Sequence, residues 1–142
     1  MLLSRSCEYA LQAVIFLSSQ PTKSPLLQKH ISDALKIPSS FLGKILQNLS
    51  HHNIVASKKG KSGGFFISAS PENLTLYDVV VIMDGSTFLD KCILGFPGCH
   101  DKCPCPVHHK WIKIKTVILQ MLKEKTVGEL SKKINVKLAC LI

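Results

Sequence analysis

The chain has 142 residues, 46% of them hydrophobic, which suffices for one ordinary core and argues against disorder. No apolar run approaches the ~18–20 residues of a membrane-spanning helix. The formal charge is +9, and residues 1–70 hold eight Lys/Arg against only Glu8 and Asp33. Such a basic half suits a polyanionic partner, although lysines also serve plain solubility.

Leu3, Cys7, Ala10, Leu11, Val14 and Leu17 recur at helical spacing, so residues 2–19 read as a first helix. Arg5 ahead of an apolar stretch mimics a signal peptide. Glu8 and Gln12 interrupt that stretch, however, and no small-residue cleavage site follows before Pro21. The segment therefore reads as an amphipathic helix of a cytoplasmic, nucleoid-associated protein. Leu26, Leu27, Ile31, Ala34 and Leu35 mark a second short helix. A turn at Ile37-Pro38-Ser39-Ser40 leads into a third, with Leu42, Ile45, Leu46 and Leu49 on its buried face. Two short helices across a tight turn have the spacing of a helix-turn-helix.

Two β-prone runs, Ile54 to Ser57 and Phe65 to Ser68, flank the basic, glycine-rich tip Lys58-Lys-Gly-Lys-Ser-Gly-Gly64 and predict a hairpin wing. The Gly-Lys-Ser triplet is no nucleotide-binding loop, because the first glycine of that motif is missing and no helix follows. Thr75 to Asp84 reads as a fourth helix, ended by Gly85. Residues 86–106 lack periodicity and need an external constraint. A long helix then runs over about Val107 to Glu124. Its apolar stripe of Trp111, Ile114, Ile118, Met121 and Leu122, widened by Val117 and Leu119, is broad enough for its own core and a second subunit. The expected fold class is mainly α with a small β-wing: a winged helix-turn-helix plus a long C-terminal dimerisation helix. Its parts are a DNA-binding region (1–70), a connecting helix with a cysteine-rich loop (71–106), and the dimerisation helix with a C-terminal tail (107–142).

On the third helix Ser39, Ser40, Lys44 and Gln47 lie away from the leucine face, where they would enter a major groove of double-stranded DNA. Lys58, Lys59 and Lys61 on the wing would approach phosphates or a minor groove. Taken singly, each lysine is as readily a solvated surface charge. Gly43 lowers the helix propensity of this surface by ~1 kcal/mol.

Four of the six cysteines, Cys92, Cys99, Cys103 and Cys105, lie within fourteen residues. Clustering of this kind favours metal ligation or redox chemistry in a reducing compartment. The intervals are irregular for zinc, which usually takes its ligands in closely spaced pairs, and iron–sulfur clusters accept soft thiolates over longer intervals. Spacing alone leaves zinc and iron–sulfur open, with a reversible disulfide and inert cysteines as further alternatives. Cys7 and Cys140 sit in apolar surroundings as small core residues. No serine or carboxylate constellation suggests an enzyme or a small-molecule substrate.

Several segments match a known family in order: Glu8-Tyr-Ala-Leu11, Leu42-x2-Ile-Leu-x2-Leu49, Gly60-x2-Gly-Gly-Phe65, Leu74-Thr-Leu-x-Asp-Val79 and Asp84-Gly85. Over about residues 1 to 124 the chain resembles the Rrf-two family of bacterial winged helix-turn-helix regulators. The resemblance implies a DNA-binding homodimer joined through the long helix, and a 2Fe–2S or 4Fe–4S cluster on three loop cysteines. Cys92, Cys99 and Cys105 are the implied ligands, and Cys103 departs from the family pattern of three. For the fourth ligand, Cys105-x2-His108 resembles the cysteine-histidine ending of the IscR type. Glu8 stands where NsrR-like members supply an acidic ligand from the other subunit. Lys59 replaces the family's usual wing arginine. The implied function is an iron–sulfur-containing repressor sensing redox, nitric oxide or cluster status. The alternative is a zinc-stabilised winged-helix regulator without a redox cluster.

Overall fold

The computed structural model describes residues 2–134 and 138–141. Helices α1 (Arg5–Ser18), α2 (Gln28–Leu35) and α3 (Ser39–His51) are followed by strands β1 (Val55–Lys58) and β2 (Gly64–Ile67). Then come α4 (Leu76–Asp84), α5 (His108–Glu124), α6 (Val127–Ile134) and the short α7 (Leu138–Leu141). The mainly α winged-helix architecture is the one expected. No described helix is long and apolar enough to cross a membrane.

Ser4 starts α1 by accepting the Cys7 N–H on its hydroxyl at 3.0 Å. Cys7, Ala10, Ala13, Val14 and Leu17 form the buried face. Most of that face meets Ile31, Leu35, Leu42, Ile45, Leu46, Leu49 and Val79 in one core, where each fully buried large aliphatic contributes about 1.5–3 kcal/mol. The Ser4 backbone N–H also donates to the Asp84 carboxylate at 2.8 Å, and its hydroxyl donates to the same group. This clasp ties the start of α1 to the end of α4.

The second helix begins later than its leucines suggest. Leu26 exchanges backbone hydrogen bonds with Phe65, at 2.8 and 2.7 Å, forming an isolated antiparallel bridge beside β2. Leu27 and Ala34 are exposed. Gly43 also finds its reason here. Gln28 lies over it and donates from Nε2 to the Ser39 carbonyl at 2.7 Å, and a Cβ on residue 43 would stand 2.9 Å from that nitrogen.

In the wing, β1 and β2 pair antiparallel from Val55↔Ile67 to Lys58↔Gly64. Gly64 has φ +141°, and a Cβ there would lie 2.3 Å from the Leu26 carbonyl. Glycine is what permits this approach.

The segment after residue 124 reads as a tail, yet it turns back into the core. Thr126 and Glu129 form a reciprocal cap on α6, the Thr126 N–H donating to the carboxylate at 3.1 Å and the Glu129 N–H to the hydroxyl at 3.2 Å. Backbone bonds from Val127 to Leu74 (2.8 Å) and from Gly128 to Pro71 (2.9 Å) fasten the helix start. Val127 is fully buried in the main core. Thus α6 completes the N-terminal core against α1.

Candidate metal centre and nucleic-acid interface

The loop between α4 and α5 is organised by short turns. Gly95 N–H bonds the Cys92 carbonyl at 2.9 Å, Cys99 N–H that of Phe96 at 3.2 Å, and His108 N–H that of Cys105 at 3.1 Å. His100 and Cys103 pair with each other through their backbones. Leu89 anchors one end by burial, and Trp111 Nε1 donates to the Lys91 carbonyl at 3.1 Å. These turns bring the sulfurs of Cys92, Cys99 and Cys105 within 4.8 Å of one another. Cys92 and Cys105 are 3.6 Å apart, and the Cys105 N–H donates to the Cys99 sulfur at 3.4 Å. Cys103 is exposed and outside this group.

The thiols differ in acidity. Although burial opposes ionisation of Cys92, the Leu94 and Phe96 amides and the neighbouring thiols of Cys105 and Cys99 lower its pKa to about 7. At Cys99 the Cys105 amide favours the thiolate, but burial and competition with Cys105 and Cys92 outweigh it and raise the pKa. In α1, burial and then the Asp84 carboxylate push the Cys7 thiol up to about 12, so this cysteine is an inert core residue, whereas Cys140, also expected in the core, is exposed.

His108 opens α5 with its ring largely covered. Its Nδ1 lies 3.2 Å from the Cys99 sulfur and its Nε2 lies 3.0 Å from the Asp101 carboxylate. The hydrogen bond to His108 holds the Asp101 carboxyl below its ordinary pKa. Sequence reading missed Asp101, because a carboxylate seven residues from its partner in an aperiodic loop carries no pattern. Neither His108 nor Glu8 belongs to the convergent group of three; His108 touches it at Cys99, whereas Glu8 pairs with Arg5 at 2.9 Å on the first turn of α1.

The donor set fits a thiophilic centre. Around one tetrahedral ion with metal–sulfur bonds of about 2.3 Å, sulfurs stand roughly 3.8 Å apart, near the separation of Cys92 and Cys105. The amide donated to Cys99 would also stabilise thiolate charge on a cluster. Three thiolates and an imidazole satisfy both kinds of centre.

On α3, Ser39, Ser40, Lys44 and Gln47 are exposed while Leu42, Ile45, Leu46 and Leu49 are buried. Lys58, Lys59 and Lys61 are exposed on the wing. Ser39 is partly committed, since its carbonyl and hydroxyl both receive Gln28. The apolar stripe of α5 divides in two. Leu122 is buried against Cys7 and Val80 with Ile118 packed beside it, whereas Ile114, Val117 and Met121 are 51%, 66% and 50% exposed.

The model of the Rrf2 family, described as an iron-dependent transcriptional regulator, matches residues 3–133. An HTH-type transcriptional regulator of Aquifex aeolicus is 31% identical over 132 residues, covering 92% of this chain and 91% of that one. The regulator IscR of Vibrio atlanticus is 29% identical over 132 residues, covering 93% and 76%. Among solved structures, CymR, the global cysteine regulator of B. subtilis, superposes with a TM-score of 0.76 at 19% identity, covering 92% and 96%. The IscR of T. potens gives 0.73 at 20% identity, covering 92% and 86%.

Proposed function

The chain belongs to the Rrf2 family of transcriptional regulators and is not an enzyme, and from that premise we propose that it is a DNA-binding repressor controlled by an iron–sulfur cluster. Cys92, Cys99 and Cys105 would hold the cluster, with His108 as the fourth ligand. The observation that carries the reading is the convergence of those three sulfurs within 4.8 Å. His108 is favoured over Glu8 because its Nδ1 lies beside the Cys99 sulfur, whereas the Glu8 carboxylate is paired with Arg5 on α1. When bound, the cluster would supply a group whose charge and ligation change on oxidation, nitrosylation or loss.

The residues of this chain supply the rest. Three thiolates offset the charge of the metal and draw the ends of the loop together. One end continues into α4, where Asp84 receives Ser4 and Met83 receives the Asn48 amide of α3 at 3.6 Å. The other end is α5, whose open stripe of Ile114, Val117 and Met121 suits a second copy of the chain. Closing or releasing the loop would shift α4 and α5 together and respace the two α3 helices of a homodimer. Half-sites one helical turn apart, about 34 Å, make binding sensitive to such respacing. Gln47 and Lys44 would read base edges, and Lys58, Lys59 and Lys61 would contact phosphates or the minor groove.

A second reading has its own support: the compact triad equally suits a single zinc ion that braces the loop without redox chemistry. Anaerobic purification with iron, sulfide, zinc and visible absorbance measured together separates the two. Iron and acid-labile sulfide in equal amounts, with DNA affinity changing on cluster loss, is the expected result. A colourless zinc protein whose affinity is indifferent to oxidants would overturn it.

A further inference from the structure

His108 is held from behind. Its Nδ1 faces the Cys99 sulfur at 3.2 Å while its Nε2 meets Asp101 Oδ1 at 3.0 Å. We infer that Asp101 is a positioning residue of the metal centre, fixing the tautomer and angle at which His108 presents Nδ1 beside the Cys99 sulfur. The inference rests on the reading of Cys92, Cys99, Cys105 and His108 as ligands.

An ionised carboxylate only accepts hydrogen bonds. Facing Asp101, the neutral imidazole therefore carries its proton on Nε2 and keeps the Nδ1 lone pair for the pocket. A carboxylate behind a ligating histidine also makes that nitrogen a stronger donor. The other two histidines of the segment are not arranged this way: His100 Nδ1 accepts the Lys102 N–H at 3.2 Å, and His109 is exposed.

The Asp101 side chain is 88% exposed, and a hydrogen bond whose acceptor stands open to water contributes little to folding. Its removal should therefore appear in metal retention rather than in stability. Asp101 also reaches back across the turn containing Cys103, so a single contact would set both the imidazole and the path from Cys99 to Cys105.

The test uses the full chain, reduced and metal-free under anaerobic conditions, titrated with Co2+ against a competing chelator. The visible ligand-field bands report the donor set directly. Asp101→Ala should weaken Co2+ retention by about 10–100-fold and alter those bands, with the far-UV dichroism unchanged. Asp101→Asn, which keeps an oxygen acceptor, should fall between Asp101→Ala and the parent. In a His108→Ala background Asp101→Ala should cost nothing further, because its effect passes through the imidazole. Equal losses in both backgrounds would make Asp101 a loop-folding residue and overturn the inference. If Cys92→Ala and Cys105→Ala abolish Co2+ binding while Asp101→Ala changes nothing, the role of Asp101 alone falls. If the cysteine variants bind Co2+ as the parent does, the ligand reading fails and takes the inference with it.

Discussion

Replacing Gly64 with alanine should damage the wing out of proportion to one methyl group. Gly64 has φ +141°, and the new Cβ would stand 2.3 Å from the carbonyl carbon and oxygen of Leu26 and 2.8 Å from the Leu27 nitrogen. The strained backbone costs about 1–3 kcal/mol. The steric clash forces Leu26 away from β2 and loses the two Leu26–Phe65 hydrogen bonds of 2.7 and 2.8 Å, at about 0.5–1.5 kcal/mol each. Gly60→Ala is the control, since Gly60 also has a positive φ of +105° but nothing lies within 4 Å of its Cβ. It carries the strain without the clash, so Gly64→Ala should cost about 2 kcal/mol more. Urea unfolding followed by far-UV dichroism at fixed protein concentration measures both losses. Equal costs for the two variants would refute the close approach of wing and Leu26.

Other outcomes follow from the same geometry. Lys59→Ala and Lys61→Ala should each weaken binding to any DNA sequence and lower the salt slope by about one phosphate contact, whereas Gln47→Ala should relax base preference; unchanged slopes in fluorescence titrations would remove the wing from the interface. Val117→Glu places a charge on a side chain already 66% exposed, so the fold should persist while the proposed homodimer dissociates. Sedimentation showing an unaltered dimer would remove α5 from the interface. Cys7, whose pKa is raised to about 12, stays a neutral thiol at pH 8 and should resist alkylation in the folded chain but react in urea. Mass spectrometry finding Cys7 modified in the folded chain as fast as exposed Cys103 would contradict its burial.

The α3 face was legible because Leu42, Ile45, Leu46 and Leu49 fall on one side at helical spacing, and all four are buried. The wing was legible through its glycines and flanking β-prone runs. Leu26 was not: its apolar character suits a helix as well as a strand, and only the arrival of Phe65 from far along the chain decides. Helix α6 had a local signal in the Thr126-x-x-Glu129 cap, but its short apolar content is dominated by Lys132 and Lys133. Its burial depends on Leu74 and Pro71, which no local pattern announces. In the loop, cysteine content marked the chemistry, while the turns that select three sulfurs and set Asp101 behind His108 are made by backbone contacts without periodicity. The division of the α5 stripe into a buried and an open half likewise depends on where α4 lies.

The most direct test of a metal centre on Cys92, Cys99 and Cys105 compares two neighbouring cysteines. Iron, acid-labile sulfide and visible absorbance are measured on anaerobically purified Cys103→Ala and Cys105→Ala. Cys105 belongs to the convergent group and Cys103 is exposed outside it. Cys103→Ala should retain iron, sulfide and colour close to the parent, and Cys105→Ala should lose all three. A bleached Cys103→Ala beside a fully loaded Cys105→Ala would contradict the assignment.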